Sequence, residues 1–225
     1  MSGILRRAAW WARDYMYAGA WQTRAFFDRS DPHGFSSGVL TPILVLPGVY
    51  ETWRFLQPLV AELHRRGHPV HVVDSLRRNR RPFGDEAVEV LAHIDRLGLR
   101  DIVLVAHSKG GLVGKQTMVL DQEDRIRGMV AVATPFGGSR YADFMLLPTL
   151  RAFSPRHRAI MDLAAHADAN ARIVSVFGEF DPHIPAGSEL PGARNVRLDT
   201  GGHFRILAHP RVIAEVVALA DGTPA

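Results

Sequence analysis

One serine of this chain stands in a setting that could make it a nucleophile. The stretch VAHSKGGLVG, residues 105–114, places Ser108 after the apolar run IVLVA and before KGGLVGKQTMVL, which begins like a helix. A serine hydroxyl is a poor nucleophile at neutral pH, so it must project from the backbone towards a base, and a tight strand-to-helix turn achieves this. Ala106 and Gly110, two residues to either side, are small enough for such a turn. The stretch therefore predicts a nucleophile elbow at Ser108.

The elements around this turn follow an alternating pattern. From residue 41 onward, short apolar runs alternate with helical stretches, as in a parallel sheet with crossover helices. Strands are predicted at 43–46, 70–73, 102–106, 129–134, 172–177 and 195–198. Helices are predicted at about 53–66, 85–98, 110–121 and 204–220. The predicted fold class is α/β, a mostly parallel sheet of about six strands flanked by helices.

The connection between the fourth and fifth predicted strands, residues 135–171, is much longer than an ordinary loop. It contains two apolar helical patches, YADFMLLPTLRAF and RAIMDLAAHA. Long insertions of this kind are often lids or substrate-binding loops. We therefore expect a lid-like insert at about 139–170, within an α/β domain that spans residues 36–225.

The segment before this domain, residues 1–35, predicts an amphipathic helix over 4–27 followed by a turn-rich linker. One face carries Ile4, Ala8, Trp11, Ala12, Tyr15 and Phe26, and the other carries Arg6, Arg13 and Arg24. Two interpretations stay open. The helix either lies on an anionic lipid surface, with its aromatic side chains at headgroup depth, or packs on the domain.

Composition and charge exclude several classes of protein. With 225 residues, 47% of them hydrophobic, the chain suffices for one α/β domain with a core. The absence of cysteine excludes disulfides and thiolate metal sites. The formal net charge is +4, and most of it lies in the first 30 residues, so no nucleic-acid partner is expected. Arg13 and Asp14 interrupt the first apolar run, so no signal peptide is predicted, and no stretch of about 20 apolar residues suggests a membrane span. A cytoplasmic location is expected, with peripheral membrane contact if the N-terminal helix binds lipid.

Five motifs follow five of the predicted strands in order: LPGVYETW, AHSKGG, ATPFGGS, GEFDPHIP and GGHF. With them, residues 41–220 resemble the α/β-hydrolase superfamily, and within it the small bacterial lipases and related ester hydrolases. Ala106 replaces the usual first glycine of the elbow, an exchange that minimal bacterial lipases share. The resemblance implies a triad in the chain order serine, acid, histidine, which Ser108, Asp181 and His203 fit. Two other acids are alternatives to Asp181, namely Asp199 and Glu179.

Three further histidines near the predicted site receive other roles. His107 adjoins the nucleophile, but adjacent side chains diverge at an elbow, so it is expected to pack under the turn. His183 follows Asp181 too closely to act as the base and is expected to flank the pocket. His209 is expected inside the closing helix, where it would have a structural role.

The resemblance also implies an oxyanion hole made of two backbone amides. Lys109, first in the helix after the elbow, supplies one N–H group, and its side chain is expected to be incidental. Val49, which follows Gly48 in the loop after the first strand, supplies the other. Pro47 precedes this glycine, where many relatives have a histidine.

Together these residues predict a serine hydrolase that cleaves carboxylic esters through an acyl-enzyme intermediate. The expected substrate is a small-molecule or lipid ester, and the apolar insert is expected to line the acyl pocket. The predicted substrate-binding residues are Tyr50, Phe136, Phe144 and Leu147. No cofactor or metal is expected, because the sequence has no Walker loop, Rossmann fingerprint or paired histidine ligands. An acyltransferase or thioesterase with the same triad, and a non-catalytic binding protein of this fold, are the alternatives.

Overall fold

A computed structural model describes residues 3–223 and 225 of the chain. The strands are β1 (Ile43–Leu46), β2 (Val70–Val72), β3 (Ile102–His107), β4 (Ile126–Val132), β5 (Ile173–Phe180) and β6 (Arg194–Gly201). They form one sheet in the order β2-β1-β3-β4-β5-β6, and every neighbouring pair is parallel. The predicted fold class is therefore confirmed. Residues 1, 2 and 224, which belong to the predicted segments 1–35 and 36–225, lie outside the described residues.

Helices cover both faces of this sheet. They are α1 (Gly3–Phe27), α2 (Gln57–Arg65), α3 (Phe83–Leu97), α4 (Lys109–Leu120), α5 (Pro148–Arg151), α6 (Arg158–Ala165) and α7 (Pro210–Ala220). Side chains alternate along each strand, so Ile43 and Val45 join the core beneath α2 and α7. Leu44 and Leu46 join the opposite core, beneath α3, α4 and α6. All of β1 is buried as a result, which explains its continuous apolar sequence.

The parallel arrangement brings three predicted site residues to one edge of the sheet. Ser108, Asp181 and His203 each follow the carboxyl end of a strand, namely β3, β5 and β6. In open α/β sheets ligands bind outside these carboxyl ends. The order of the sheet leaves β4 between the strands that carry the serine and the acid.

The end of the chain differs in detail from its prediction. The closing helix begins at Pro210, because residues Arg205–Ala208 form a separate 3₁₀ turn. The prediction that His209 lies inside the helix is wrong. His209 is the N-cap of α7, and its Nδ1 accepts the N–H of Arg211 at 3.2 Å. A side-chain acceptor at this position satisfies one of the free N–H groups that begin a helix.

Helix α1 confirms the predicted N-terminal helix and packs on the domain, but through a different face from the predicted apolar one. The docked face carries Trp10, Asp14, Tyr17 and Trp21, which recur at helical spacing and are buried or half-buried. Tyr17 and Trp21 pack against the core beside β1. The predicted apolar face, represented by Ile4 and Phe26, is exposed instead. No helix in the described part of the chain has the length and apolar character needed to cross a membrane.

Candidate active site

The turn between β3 and α4 holds Ser108 in a strained conformation. Its φ of 51° and ψ of −120° lie in a region that non-glycine residues rarely adopt. The Ser108 N–H donates to the carbonyl of Val132 in β4 at 2.8 Å, which ties the turn to the sheet. A Cβ at position 110 would collide with the carbonyl oxygen of Leu46, so α4 can begin this close to β1 only because Gly110 has no side chain. The structure thus has the strand–turn–helix geometry predicted around Ser108.

A chain of hydrogen bonds joins the three predicted triad residues. His203 Nε2 lies 3.0 Å from Ser108 Oγ, and His203 Nδ1 lies 2.7 Å from Asp181 Oδ2. The other carboxylate oxygen, Asp181 Oδ1, accepts the N–H groups of His183 at 2.7 Å and Ile184 at 3.0 Å. The carboxylate is therefore fixed from both sides, and it fixes in turn the orientation of the imidazole.

The electrostatics of this group favour a charged histidine beside a charged aspartate. Burial lowers the pKa of His203, but the charge and hydrogen bond of Asp181, with the further charges of Glu51 and Asp14, raise it above its ordinary value. For Asp181, burial raises the pKa, and the charge and hydrogen bond of His203 more than reverse this effect. The imidazolium that would form when the neutral His203 ring accepts a proton is therefore stabilised at this position.

Two of the three further histidines, His107 and His183, lie where the sequence predicts them, around the imidazole of His203. The His107 ring is fully buried under the turn, and its Nε2 lies 3.0 Å from the carbonyl oxygen of His203. His183 flanks the site, and its Nε2 lies 3.1 Å from the Tyr15 hydroxyl. Burial and the charge of His203 lower the pKa of His183 to about 4, so its ring is neutral near pH 7.

The two alternative acids lie away from the imidazole. Glu179 forms an ion pair with Arg6 at 3.2 Å on the protein surface, and Asp199 is exposed in β6. Of the three acids considered, the structure brings only Asp181 to His203.

A cavity of about 540 Å³ opens at the serine and is lined by both Ser108 and His203. Its wall includes Val49 and Tyr50 from the loop after β1, as well as side chains from α1, the insert and the loop after β5. Most of the other residues that line the cavity are apolar or aromatic. They include Tyr15, Tyr141, Met145, Leu150, Phe153, Ile184 and Phe204. Among the residues that the structure describes, no cluster of three or more histidine, aspartate or glutamate side chains could hold a metal ion.

Three of the four predicted substrate-binding residues do not line this cavity. Tyr50 does, but Phe136 is buried in the core beneath α4, and Phe144 and Leu147 point outward. The sequence predicts that six apolar residues of the insert line the acyl pocket. In the structure three of them line the cavity, namely Met145, Leu150 and Phe153, whereas Phe144, Leu146 and Leu147 are exposed.

A sequence model described as the alpha/beta hydrolase family matches residues 33–181, which is well over half of the chain. The chain belongs to the alpha/beta hydrolase family. Similar solved structures include a Bacillus licheniformis lipase in its mature form, with 16% identity, 86% of this chain and 94% of that chain covered, and a TM-score of 0.64. An enol-lactonase from Burkholderia xenovorans has 17% identity, 82% and 92% coverage and a TM-score of 0.59. A Paleococcus ferrophilus monoacylglycerol lipase has 15% identity, 82% and 97% coverage and a TM-score of 0.58. Identities this low show the shared fold alone, and no curated protein gives a significant match.

In this alpha/beta hydrolase the side chain of Lys109 is not incidental, contrary to the sequence-based prediction. Its ammonium group is buried and donates to the carboxylate of Glu86 at 2.5 Å and to the carbonyl of Asn79 at 3.0 Å. A third bond goes to the carbonyl of Arg81. The side chain thereby holds the loop after β2 against the start of α4, next to Ser108. The Lys109 N–H lies in the first turn of α4, where amides have no partner within the helix.

Two buried carboxylates support the site of this hydrolase, and the sequence analysis missed both. Glu51 Oε2 accepts the N–H of Gly48 at 2.7 Å and lies 2.9 Å from His107 Nδ1. Asp14 of α1 accepts the backbone N–H of His203 at 2.9 Å. The sequence offers one signal for Asp14: it is the single acidic residue in a helix whose other charged residues are arginines. No sequence pattern connects Glu51 to His107, because the ring comes from the end of β3, 56 residues further along the chain.

Proposed function

We propose that this protein is a serine hydrolase that cleaves carboxylic esters through an acyl-enzyme intermediate. The observation that carries the proposal is the continuous hydrogen-bonded chain from Asp181 through His203 to Ser108, whose hydroxyl opens on an apolar cavity. The strained elbow, the buried acid and the raised pKa of the histidine are the features that nucleophilic catalysis requires.

The proposed reaction has two stages. Ser108 Oγ attacks the ester carbonyl while His203 Nε2 accepts the hydroxyl proton, and Asp181 stabilises the resulting imidazolium. The amides of Val49 and Lys109 donate to the oxyanion of the tetrahedral intermediate. His203 then gives the proton to the departing alcohol, which leaves an acyl group on Ser108. A water molecule repeats the sequence and releases the carboxylic acid.

The proposed substrates have apolar acyl chains. Met145, Leu150 and Phe153 of the insert contribute apolar surface to the cavity, and Tyr15 and Phe204 add aromatic surface to it. Burial of each acyl methylene against such a wall contributes about 0.8 kcal/mol. An ester of a medium or long acyl chain therefore gains more from this cavity than acetate does.

The same protein presents an apolar surface beside the cavity, and we propose that it binds an anionic lipid bilayer peripherally. On α1, an exposed arc includes Ile4, 80% exposed, and Phe26, 75% exposed, and Arg13 and Arg24 follow on the next face. On the insert, Leu146 is 95% exposed and lies next to Met145 of the cavity wall. Apolar side chains bordered by arginines match the interface of a membrane with anionic headgroups.

The catalytic proposal is tested with a fluorophosphonate probe and a series of p-nitrophenyl esters from acetate to laurate. Wild-type protein should be labelled at Ser108 and should turn over the longer esters with the higher kcat/KM. Ser108→Ala should abolish both labelling and turnover while it retains the thermal unfolding curve. A folded wild type that resists labelling would support a binding protein instead. An added alcohol or thiol that outcompetes water for the acyl group would identify an acyltransferase.

The membrane proposal is tested by sedimentation with vesicles of phosphatidylglycerol or of phosphatidylcholine alone. The wild type should bind the anionic vesicles, and Arg13→Gln with Arg24→Gln should weaken binding roughly 10- to 30-fold. A triple variant of Ile4, Trp11 and Phe26 to serine should lose binding. The matched control replaces three exposed apolar residues elsewhere, Val88, Leu97 and Leu120, by serine. Equal loss in the control triple would refute a specific role for α1.

A further inference from the structure

Asp14 is a fully buried carboxylate that α1 delivers to the loop after β6. Its Oδ2 accepts the N–H of His203 at 2.9 Å. Its Oδ1 accepts the N–H groups of Phe204 at 2.9 Å and Arg205 at 2.8 Å. The hydrogen bonds that Asp14 makes within the described residues thus all come from consecutive backbone amides of the segment that carries the candidate base.

Gly202 makes this close approach possible. Its φ is +127°, and a Cβ there would come within 2.5 Å of Asp14 Oδ1. The loop therefore has a glycine at the one point where the carboxylate passes beneath it. Trp10, one turn earlier in α1, packs in the same way on Gly201, where a Cβ would meet its ring at 2.5 Å. Helix α1 and the loop after β6 are therefore in close contact at two successive glycines, Gly201 and Gly202.

We propose that Asp14 is a positioning residue for the reaction: it clamps the backbone at His203 and so keeps the imidazole aligned between Ser108 and Asp181. The proposal rests on the proposed function of the triad. Bonds from backbone amides to a carboxylate are among the stronger hydrogen bonds in proteins, and three of them act here on consecutive residues. A misplacement of reacting groups by about 1 Å can cost roughly 100-fold in rate.

The charge of Asp14 adds an effect that a merely structural residue would not have. The titratable side chains around His203 come from several elements: Asp181, His183, His107, Glu51, Asp14 and Tyr15. Burial lowers the pKa of His203, and the negative charges of Asp181, Glu51 and Asp14 raise it. Removal of the Asp14 charge should therefore lower this pKa and move the acidic limb of the rate profile to lower pH. A loop that only became looser and wetter would relieve the burial, and the limb would move the other way.

The experiment compares Asp14→Asn and Asp14→Glu with the control Asp28→Asn. Asp28 is a carboxylate just beyond α1 that accepts bonds from Ser30. In Asp14→Asn at least one of the three backbone N–H groups faces the N–H of the new amide, so kcat should fall about 10- to 100-fold with little change in KM. Because the charge is also lost, the acidic limb of the rate profile should move to lower pH. Asp14→Glu should lower kcat but keep the limb at its wild-type position. Asp28→Asn should match the wild type in both.

Thermal unfolding and imidazole NMR complete the test. The pKa of His203, followed by NMR in the folded variants, needs no substrate, so it reports on Asp14 even if no ester is hydrolysed and the proposed function fails. A folded Asp14→Asn with wild-type kcat and an unmoved His203 pKa would overturn the proposal. Failure of both Asp14 variants to fold would overturn it as well, in favour of a purely structural role.

Discussion

The imidazole of His107 lies 2.9 Å from Glu51 through Nδ1, while its Nε2 lies 3.0 Å from the carbonyl oxygen of His203. A carbonyl oxygen only accepts, so Nε2 must carry a hydrogen. A hydrogen bond between Nδ1 and the Glu51 carboxylate needs a second hydrogen between these two atoms, so both ring nitrogens of His107 are engaged. Because Glu51 also accepts the N–H of Gly48, this pair connects the proposed oxyanion loop to the loop that carries His203.

Glu51→Gln should therefore impair both loops. An amide oxygen in place of the carboxylate can accept from Gly48 and from Nδ1, but a neutral His107 then has no hydrogen left for the carbonyl of His203. We expect kcat/KM to fall about 10- to 100-fold and the free energy of unfolding to fall by about 1–3 kcal/mol. Ester kinetics and urea unfolding check this, with the exposed Glu189→Gln as control. Unchanged values for Glu51→Gln would show that the connection has no effect.

The motifs, together with the family's chain order of serine, acid and histidine, were sufficient to predict that Ser108, Asp181 and His203 meet, since each follows a predicted strand and parallel strands bring their carboxyl ends to one edge. The sequence was not sufficient for Asp14 or Glu51. Their partners are backbone amides or a ring brought near by packing, and amides carry no sequence signature.

Hydropathy alone also did not predict which apolar residues of the insert face the cavity. Phe144 and Leu147 are as apolar as Leu150 and Phe153, yet only the latter two line the cavity. The insert consists of 3₁₀ turns and short helices, and α5 has only four residues. A segment this short has too few turns for periodicity to indicate its inner face.

Asp181→Asn tests the tautomer of the base. The amide oxygen can keep the bonds from the His183 and Ile184 N–H groups, so the amide NH₂ faces His203 Nδ1. The imidazole then carries its hydrogen on Nε2, which faces Ser108 and cannot accept the serine proton. We expect kcat to fall about 10³- to 10⁴-fold with KM little changed. Steady-state kinetics measure both, and a loss below tenfold would remove Asp181 from the triad.

The pH dependence of kcat/KM follows from the pKa of His203. The histidine must be neutral to accept the serine proton, and burial, outweighed by Asp181 and its neighbours, leaves its pKa above the ordinary 6.5. The rate should therefore fall as the pH drops through a value higher than 6.5. His183 does not contribute a limb in this range, because its pKa is about 4. A flat profile over roughly pH 5–9 would contradict His203 as the base.

The buried pair of Lys109 and Glu86 should dominate the stability of the loop after β2. Burial lowers the pKa of Lys109 and raises that of Glu86, against the attraction between them. Glu86→Gln leaves the ammonium without its counter-charge, which should cost about 3–5 kcal/mol at neutral pH. In this variant Lys109 binds a proton more readily in the unfolded chain than in the folded protein, because burial lowers its pKa. The free energy of unfolding should therefore rise again towards about pH 10. Urea unfolding at both pH values measures this. Glu89→Gln, which breaks the pair between half-buried Glu89 and exposed Arg81, should cost at most about 1 kcal/mol.

Two glycines in helical first turns should respond oppositely to alanine. At Gly110 a methyl group would collide with the carbonyl oxygen of Leu46, whereas at Gly84, in the first turn of α3, it would meet no atom within 4 Å. Backbone atoms of a central strand cannot move aside cheaply, so Gly110→Ala should cost more than about 2 kcal/mol and should abolish labelling of Ser108. Gly84→Ala should stabilise by up to about 1 kcal/mol, because the unfolded chain loses conformational freedom. Thermal unfolding of both variants compares them directly. Equal melting temperatures would contradict the close approach of α4 to β1, on which the turn at Ser108 depends.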